Sequence, residues 1–299
     1  MPRSRRHGKP PPPPTTSPRR RRAHAPPPVT RASDPAPVSA RHPWFGASGT
    51  PRVLAHRGLV TEEAARDGVA ENSFAAVAAA HAAGVVYVES DCHLTADGVV
   101  VLFHDDDLSR LTGDPRRIAD VRVRELESLM SGRGGLLTLT QALDAFPDLH
   151  WNLDVKAASA ALPVGRAVAK EGARVLITSF SDARRREALA AAARSDALPP
   201  ATSAGRGTIT RLLGAVASGS SALVARVLSG IDAVQIPERH AGVAILTDRL
   251  LRLTAAAGVE VHVWTVNDTT AMQDLVRRGV HGIVTDRADE ALRTLDAPG

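Results

Sequence analysis

Six short apolar runs end in side chains that can carry charge or move a proton. Residues 53–55 lead into His56 and Arg57, 85–88 into Glu89, Ser90 and Asp91, and 99–103 into His104 and Asp105. The run 151–155 contains Asp154 and is followed by Lys156. Later, 259–263 leads into Trp264, Thr265, Val266 and Asn267, and Ile283-Val284 leads into Thr285, Asp286 and Arg287. Strand side chains alternate faces, so Glu89, Asp91 and His93 share one side while Ser90 and Cys92 take the other. Asp154 and Lys156 share a side likewise. Two buried carboxylates two residues apart repel unless a countercharge stands between them. Glu89, Asp91 and Asp154 therefore suggest an all-oxygen site for a hard cation, Mg²⁺ or Ca²⁺. A soft metal is disfavoured because Cys92, the one cysteine, faces away. The competing account pairs the same acids with Arg57 and Lys156.

His56 and His104 form a second constellation. Imidazole exchanges protons near neutral pH, so two of them suit a base and an acid on opposite sides of a scissile bond. His81, His240 and His281 read as ordinary packed or surface residues. Arg57 and Lys156 offer fixed positive charge to an anionic substrate. Lys156 is one of three lysines beside 34 arginines, and the compact ammonium suits a phosphate contact.

Positioning these groups requires a scaffold that brings strand ends together. Strand candidates lie at 53–56, 85–91, 99–104, 151–155, 175–179, 200–203, 233–236, 259–266 and 282–285. Helix candidates between them include 73–83, 139–146, 160–170, 182–194, 247–257 and 269–278, several opened by capping residues such as Ser181, Thr247 and Asp268. Strands alternating with helices predict parallel pairing. The exception is the stretch from Glu89 to His104, where Asp97-Gly98 signals a hairpin and 99–104 a return strand over the mouth. Setting that strand aside leaves eight, the number for a closed (β/α)8 TIM barrel whose strand C-termini share the active rim. An open doubly wound sheet would want a glycine-rich turn after its first strand, which His56-Arg57-Gly58 lacks.

A chain of 299 residues can bury a core without staples, and a single cysteine excludes an internal disulfide framework. No apolar run reaches the ~18 residues of a membrane span. The net charge of +5 is unevenly placed. Residues 1–45 hold ten basic residues against one acid, and the remainder 27 against 31. The same 45 residues hold 13 of the 21 prolines, which predicts a disordered Arg/Pro-rich tail ahead of a barrel domain over 46–299. Structure is expected to begin near Trp44 or Phe45. The tail's cluster Arg19 to Arg22 is followed by no apolar run, so it is neither a secretory nor a twin-arginine signal, and a cytoplasmic location is expected. The cluster reads as a solvated tail, with an anionic partner as the alternative and no specific nucleic-acid partner.

Taken in order, the segments resemble the glycerophosphodiester phosphodiesterase family. They are Ala55-His56-Arg57-Gly58, Glu71-Asn72-Ser73, Glu89 to Gly98, His104 to Thr112, Asn152-Leu153-Asp154-Val155-Lys156, Thr178-Ser179-Phe180, Val263 to Asn267 and Gly282 to Asp286, spread over about 52–287. The resemblance implies a barrel that cleaves glycerophosphodiesters to sn-glycerol 3-phosphate and an alcohol with a divalent cation. It implies Glu89, Asp91 and Asp154 as cation ligands, His56 and His104 as the acid/base pair, and Arg57 and Lys156 as phosphate contacts. Glu71 is implied as an acid near the site, either a further ligand or an orienter of Arg57, with Asn72 close behind it, and Trp264 as a pocket wall, a core position being its alternative. Asp154 departs from the family's more usual glutamate, and Ala70 stands in place of a common proline. The alternatives are a lysophospholipase D-type enzyme, which an apolar groove beside the rim would favour, and a silent barrel with an anion-binding tail.

Overall fold

The computed structural model describes residues 42–46 and 49–295. Its strands are β1 Arg52–His56, β2 Tyr87–Leu94, β3 Val100–Leu102, β4 His150–Val155, β5 Val175–Thr178, β6 Ala201–Thr202, β7 Ala233–Ile236, β8 Arg239–His240, β9 Val243–Ala244, β10 Glu260–Val263 and β11 Gly282–Thr285. Eight of them pair in the order β6-β5-β4-β2-β1-β11-β10-β7, every pairing parallel. A single bridge, Ser203 to Ala233, brings the two ends of that path together. The chain is thus a (β/α)8 barrel. The shortness of β6 follows from its sequence, since Pro199 and Pro200 cannot donate to a ladder.

The return strand expected after Asp97-Gly98 is β3, antiparallel to β2 with Cys92 opposite Leu102 and Leu94 opposite Val100. This pairing extends β2 to Leu94, beyond the end expected at 91. β3 leads to His104 across a small separate core of Val101, Phe103, Leu108, Ile118, Val121, Leu126 and Met130. β10 ends at Val263 rather than 266, and residue 264 leaves the ladder. Helices Arg206–Ser218 and Ser221–Val227, not singled out in the sequence, fill the crossover from β6 to β7.

Alternation along the strands sorts two layers. Val53, Val88, Trp151, Leu153, Ile177, Val261 and Ile283 face outward into the main core with the helices. Leu54, Tyr87, Leu176, Ala201, Ala233 and Val284 face inward and pack with Trp44 and Phe45. The short 3₁₀ turn Pro43–Gly46 therefore seals the N-terminal end of the barrel, and the barrel domain takes in residues just ahead of 46. The Trp44 indole N–H donates to the Trp151 carbonyl at 3.0 Å, and the Tyr87 hydroxyl donates to the Trp44 carbonyl at 3.0 Å. Beside this plug, Arg52 donates twice to Glu260, each at 3.0 Å, and once to Tyr87 Oη at 3.1 Å. The Arg19 to Arg22 cluster lies outside the described residues. Among the described residues, no helix is long and apolar enough to cross a membrane.

Candidate active site

The site grows from the end of β1. Arg57 has φ +60° and Asn72 φ +58°, both in the left-handed region that L side chains adopt at a cost of about 1–3 kcal/mol. The Asn72 amide donates to the Arg57 carbonyl at 2.8 Å, locking the two together. Gly58, at φ +90°, has no alternative residue: a Cβ there would lie 2.7 Å from the Ala76 backbone. This turn swings the Arg57 guanidinium back over the barrel. Its Nη1 donates to Glu71 Oε1 at 2.7 Å, and its Nε stands 3.1 Å from Asp91 Oδ2. Asn72 donates to the same Asp91 oxygen at 3.1 Å and accepts from Ser90 Oγ. Glu71 thus holds Arg57, and Asn72 holds Asp91.

The β2–β4 register puts Asp91 opposite Asp154 and Glu89 opposite Asn152. Lys156 Nζ bridges the aspartates, 3.0 Å from Asp91 Oδ1 and 3.3 Å from Asp154 Oδ2. Asp91 is therefore fully partnered. Burial alone would raise its pKa, but Lys156 and Arg57 hold it below the usual carboxylate range. Its neighbours go the other way. Burial, then the charges of Asp91 and Asp154, push Glu89 well up. Burial pushes Asp154 to about 6, against the pull of Lys156. Glu89 Oε2, Asp154 Oδ1 and Asn152 Oδ1 are buried without a hydrogen-bond partner, and all three residues line the same cavity. Unmatched buried oxygens are costly unless something positive meets them. The donor set therefore fits a hard cation at Glu89, Asp154 and Asn152, although among the described residues no three His, Cys, Asp or Glu side chains form a ready-made cage. Asp91 already serves the two cationic side chains, Arg57 and Lys156. Asn152 was not singled out, because a neutral amide gives no charge signal.

The imidazoles are mounted alike. His56 Nδ1 lies 2.6 Å from Asp286 Oδ1, and Asn267 donates to Asp286 Oδ2 at 2.7 Å. His104 Nδ1 lies 2.7 Å from Asp105 Oδ1, while Arg110 donates to Asp105 Oδ2 at 2.6 Å and to Glu71 Oε1 at 2.7 Å. Burial works against ionising Asp105, yet Arg110 and His104 keep it low. His56 itself keeps Asp286 low. Each ring thus has one nitrogen clamped by a carboxylate, leaving Nε2 for the cavity. Asp286, Asn267 and Asp105 sat in the motifs, but their pairing with the histidines is tertiary and carried no spacing signal.

A cavity of about 530 Å³ joins His56, Arg57, Glu89, Asp91, His104, Asp154 and Lys156. Its outer part is walled by Phe180 and Trp264, whose rings meet edge to face at 6.0 Å, with Ile209, Leu213, Ile236 and Ile245. Trp264 lines this cavity and also packs against the inner apolar layer. His240, read above as an ordinary residue, lines this outer part too, because the β8–β9 hairpin carries it over the mouth. A second, open cavity runs from His104 and Lys156 along Asp105, Asp106 and Asp107.

Comparison with known proteins agrees with this geometry. The model of the glycerophosphoryl diester phosphodiesterase family matches residues 56–290. A Mycobacterium tuberculosis protein named "Probable glycerophosphodiester phosphodiesterase 2" is 37% identical over 83% of this chain and 91% of its own. A human lysophospholipase D is 31% identical over 34% of this chain and 35% of its own. Among solved structures, the glycerophosphodiester phosphodiesterase of Thermotoga maritima has a TM-score of 0.61 at 25% identity, covering 81% of this chain and 96% of that one. An Oleispira antarctica phosphodiesterase, solved with sn-glycerol-3-phosphate, shares the fold with a TM-score of 0.63 at 22% identity, covering 83% and 97%.

Proposed function

Because the chain belongs to the glycerophosphoryl diester phosphodiesterase family, we propose that its rim cavity hydrolyses glycerophosphodiesters to sn-glycerol 3-phosphate and an alcohol. The observation that carries this is the matched mounting of His56 and His104, each with Nδ1 on a carboxylate, in one cavity with Arg57 and Lys156. The substrate phosphate lies between the two rings. One Nε2 takes the proton of the attacking hydroxyl and the other gives a proton to the departing alkoxide; attack by water gives sn-glycerol 3-phosphate directly, whereas attack by the glycerol hydroxyl gives a cyclic phosphate that water then opens. Arg57 and Lys156 hold the nonbridging oxygens and stabilise the charge that builds on them. Glu89, Asp154 and Asn152, with Asp91 shared, would hold a divalent cation, Mg²⁺ or Ca²⁺. Bound there, the cation supplies further neutralisation of the phosphate's charge.

The test is turnover of glycerophosphocholine by the full chain. His56→Ala and His104→Ala each lower kcat by about 10²–10⁴-fold with an unchanged melting temperature. Chelator abolishes activity and Mg²⁺ or Ca²⁺ restores it. Wild-type turnover by either histidine variant rejects the assignment, and chelator-insensitive turnover rejects the cation. The apolar strip Ile209, Leu213, Ile236 and Ile245 favours a second reading, cleavage of lysophospholipids, which the name of the human relative also suggests. Release of choline from lysophosphatidylcholine at a rate matching glycerophosphocholine decides for it.

A further inference from the structure

The charges lining the main cavity are sharply divided. Its carboxylates, Glu89, Asp91 and Asp154, sit at the inner end with Arg57 and Lys156. Its outer part holds no carboxylate among the described lining residues, yet it holds a cation, Arg206. The other site arginines are engaged: Arg57 with Glu71 and Asp91, Arg110 with Asp105 and Glu71, Arg184 with the Lys156 carbonyl. For the Arg206 guanidinium, the described residues offer an aromatic face instead of an acid. It stands 5.9 Å from the centre of the Phe180 ring. Lys156 Nζ stands 5.9 Å from the same centre. Phe180 is therefore a spacer between the cation at the phosphate end and the cation at the outer end.

Arg206 is the first residue of its helix, and its own amide donates to the Phe180 carbonyl at 3.0 Å. Asp182 accepts from the Gly205 and Thr208 amides at 3.2 and 2.9 Å. The guanidinium, not the helix end, is thus the free positive group. A guanidinium on an aromatic plane keeps its donors in a fixed fork suited to carboxylate or phosphate oxygens.

We infer that Arg206 is a specificity-determining residue that favours diesters whose alcohol half carries its own negative charge. This rests on the phosphodiesterase reading above, with the alcohol lying in the outer part. Phosphorylated or carboxylated alcohols fit. A quaternary ammonium would meet Arg206 there with no carboxylate to offset it.

Three substrates on the full chain test this: glycerophosphoinositol 4-phosphate, glycerophosphoinositol and glycerophosphocholine, each with saturating Mg²⁺ or Ca²⁺. A charged hydrogen bond of this kind makes kcat/KM for the anionic diester about 10- to 100-fold above that for the choline diester. Arg206→Gln brings that ratio close to one, and Arg206→Glu inverts it. A ratio between two substrates in one preparation does not move with the folded fraction, so misfolding cannot imitate the result. Preference for the choline diester, or a ratio unmoved by Arg206→Glu, overturns the inference. The first outcome would place the alcohol over the acidic shelf of Asp105 to Asp107. Hydrolysis of none of the three diesters rejects the parent reading, and this one with it.

Discussion

The two ends of the barrel bury the same kinds of charged residue and treat them in opposite ways. At the N-terminal end, Glu260 receives two donors from Arg52, and His262 Nε2 lies 3.2 Å from the same carboxylate. Burial would raise its pKa, but His262 and Arg52 outweigh that and hold it at about 2. At the C-terminal end, Glu89 and Asp154 are pushed up instead, and each keeps a buried oxygen with no hydrogen bond, that of Glu89 lying 3.9 Å from His56 Nε2. Burial is therefore not what separates the charges at the two ends of this molecule. Completeness of partners is: the closed set at one end stabilises the fold, and the open set at the other leaves binding capacity unspent.

The sharpest attempt to break this comparison is Glu260→Gln. It takes the Glu260 charge away from the Arg52 cation, which is buried at 3% side-chain exposure. About 3–5 kcal/mol of stability is lost, read as a lower midpoint in urea unfolding. Catalysis by the remaining folded enzyme is kept. A midpoint shift of less than a fifth of that size would show the bottom network to be ornamental.

A second test uses pH. Glu260 is depressed from 4.5 to about 2, so its contribution is present above pH 4.5 and fades as pH falls toward 2, about 3 kcal/mol in all. Asp154 is raised from 3.8 to about 6, so its folded form binds the proton more tightly. Its effect runs the other way. Stability falls as pH climbs from about 4 to 6, by about 3 kcal/mol, and stays lower above that. Unfolding free energies at pH 3, 5 and 7 in the cation-free protein check both signs. Asp154→Asn reduces the second slope, to which the raised Glu89 also contributes, and Glu260→Gln removes the first. If one substitution erased both, the two ends would not be independent.

The smallest expected effect is on the stability of Glu89→Gln. Removing a charge from an incomplete set leaves the urea midpoint unchanged or raises it, by about 1 kcal/mol. Turnover falls together with affinity for the divalent ion, measured calorimetrically. A clear loss of stability here would put Glu89 in the same class as Glu260.

Much of this architecture was legible in the chain. The apolar runs before His56, Glu89 and Thr285 are strands because their inward and outward faces are both covered, which leaves an uninterrupted signal. Asp97-Gly98 gave the hairpin through turn chemistry alone. The clamps on the imidazoles were not legible: His56 and Asp286 are 230 residues apart, and only closure of β1 against β11 makes them neighbours. Arg52 and Glu260 were hidden for the same reason. The outer wall was missed because residues 206–218 follow a two-residue strand and a proline pair, where neither periodicity nor punctuation stands out. Lys156 was recognised as important, yet its place between two aspartates depends on strand register.

One consequence follows from how His104 is mounted. His56 ends a barrel strand, whereas His104 follows β3, which stands off the closed path and packs Val100 and Leu102 on the main core but Val101 on a second cluster with Phe103, Leu126 and Met130. The gap between the two imidazoles thus depends on a strand outside the cylinder and on two apolar clusters, not on the cylinder alone. Loosening the cluster around Phe103 should move His104 relative to His56. Drift in reaction rate among variants of this chain can therefore come from ground far removed from any atom that meets the phosphate.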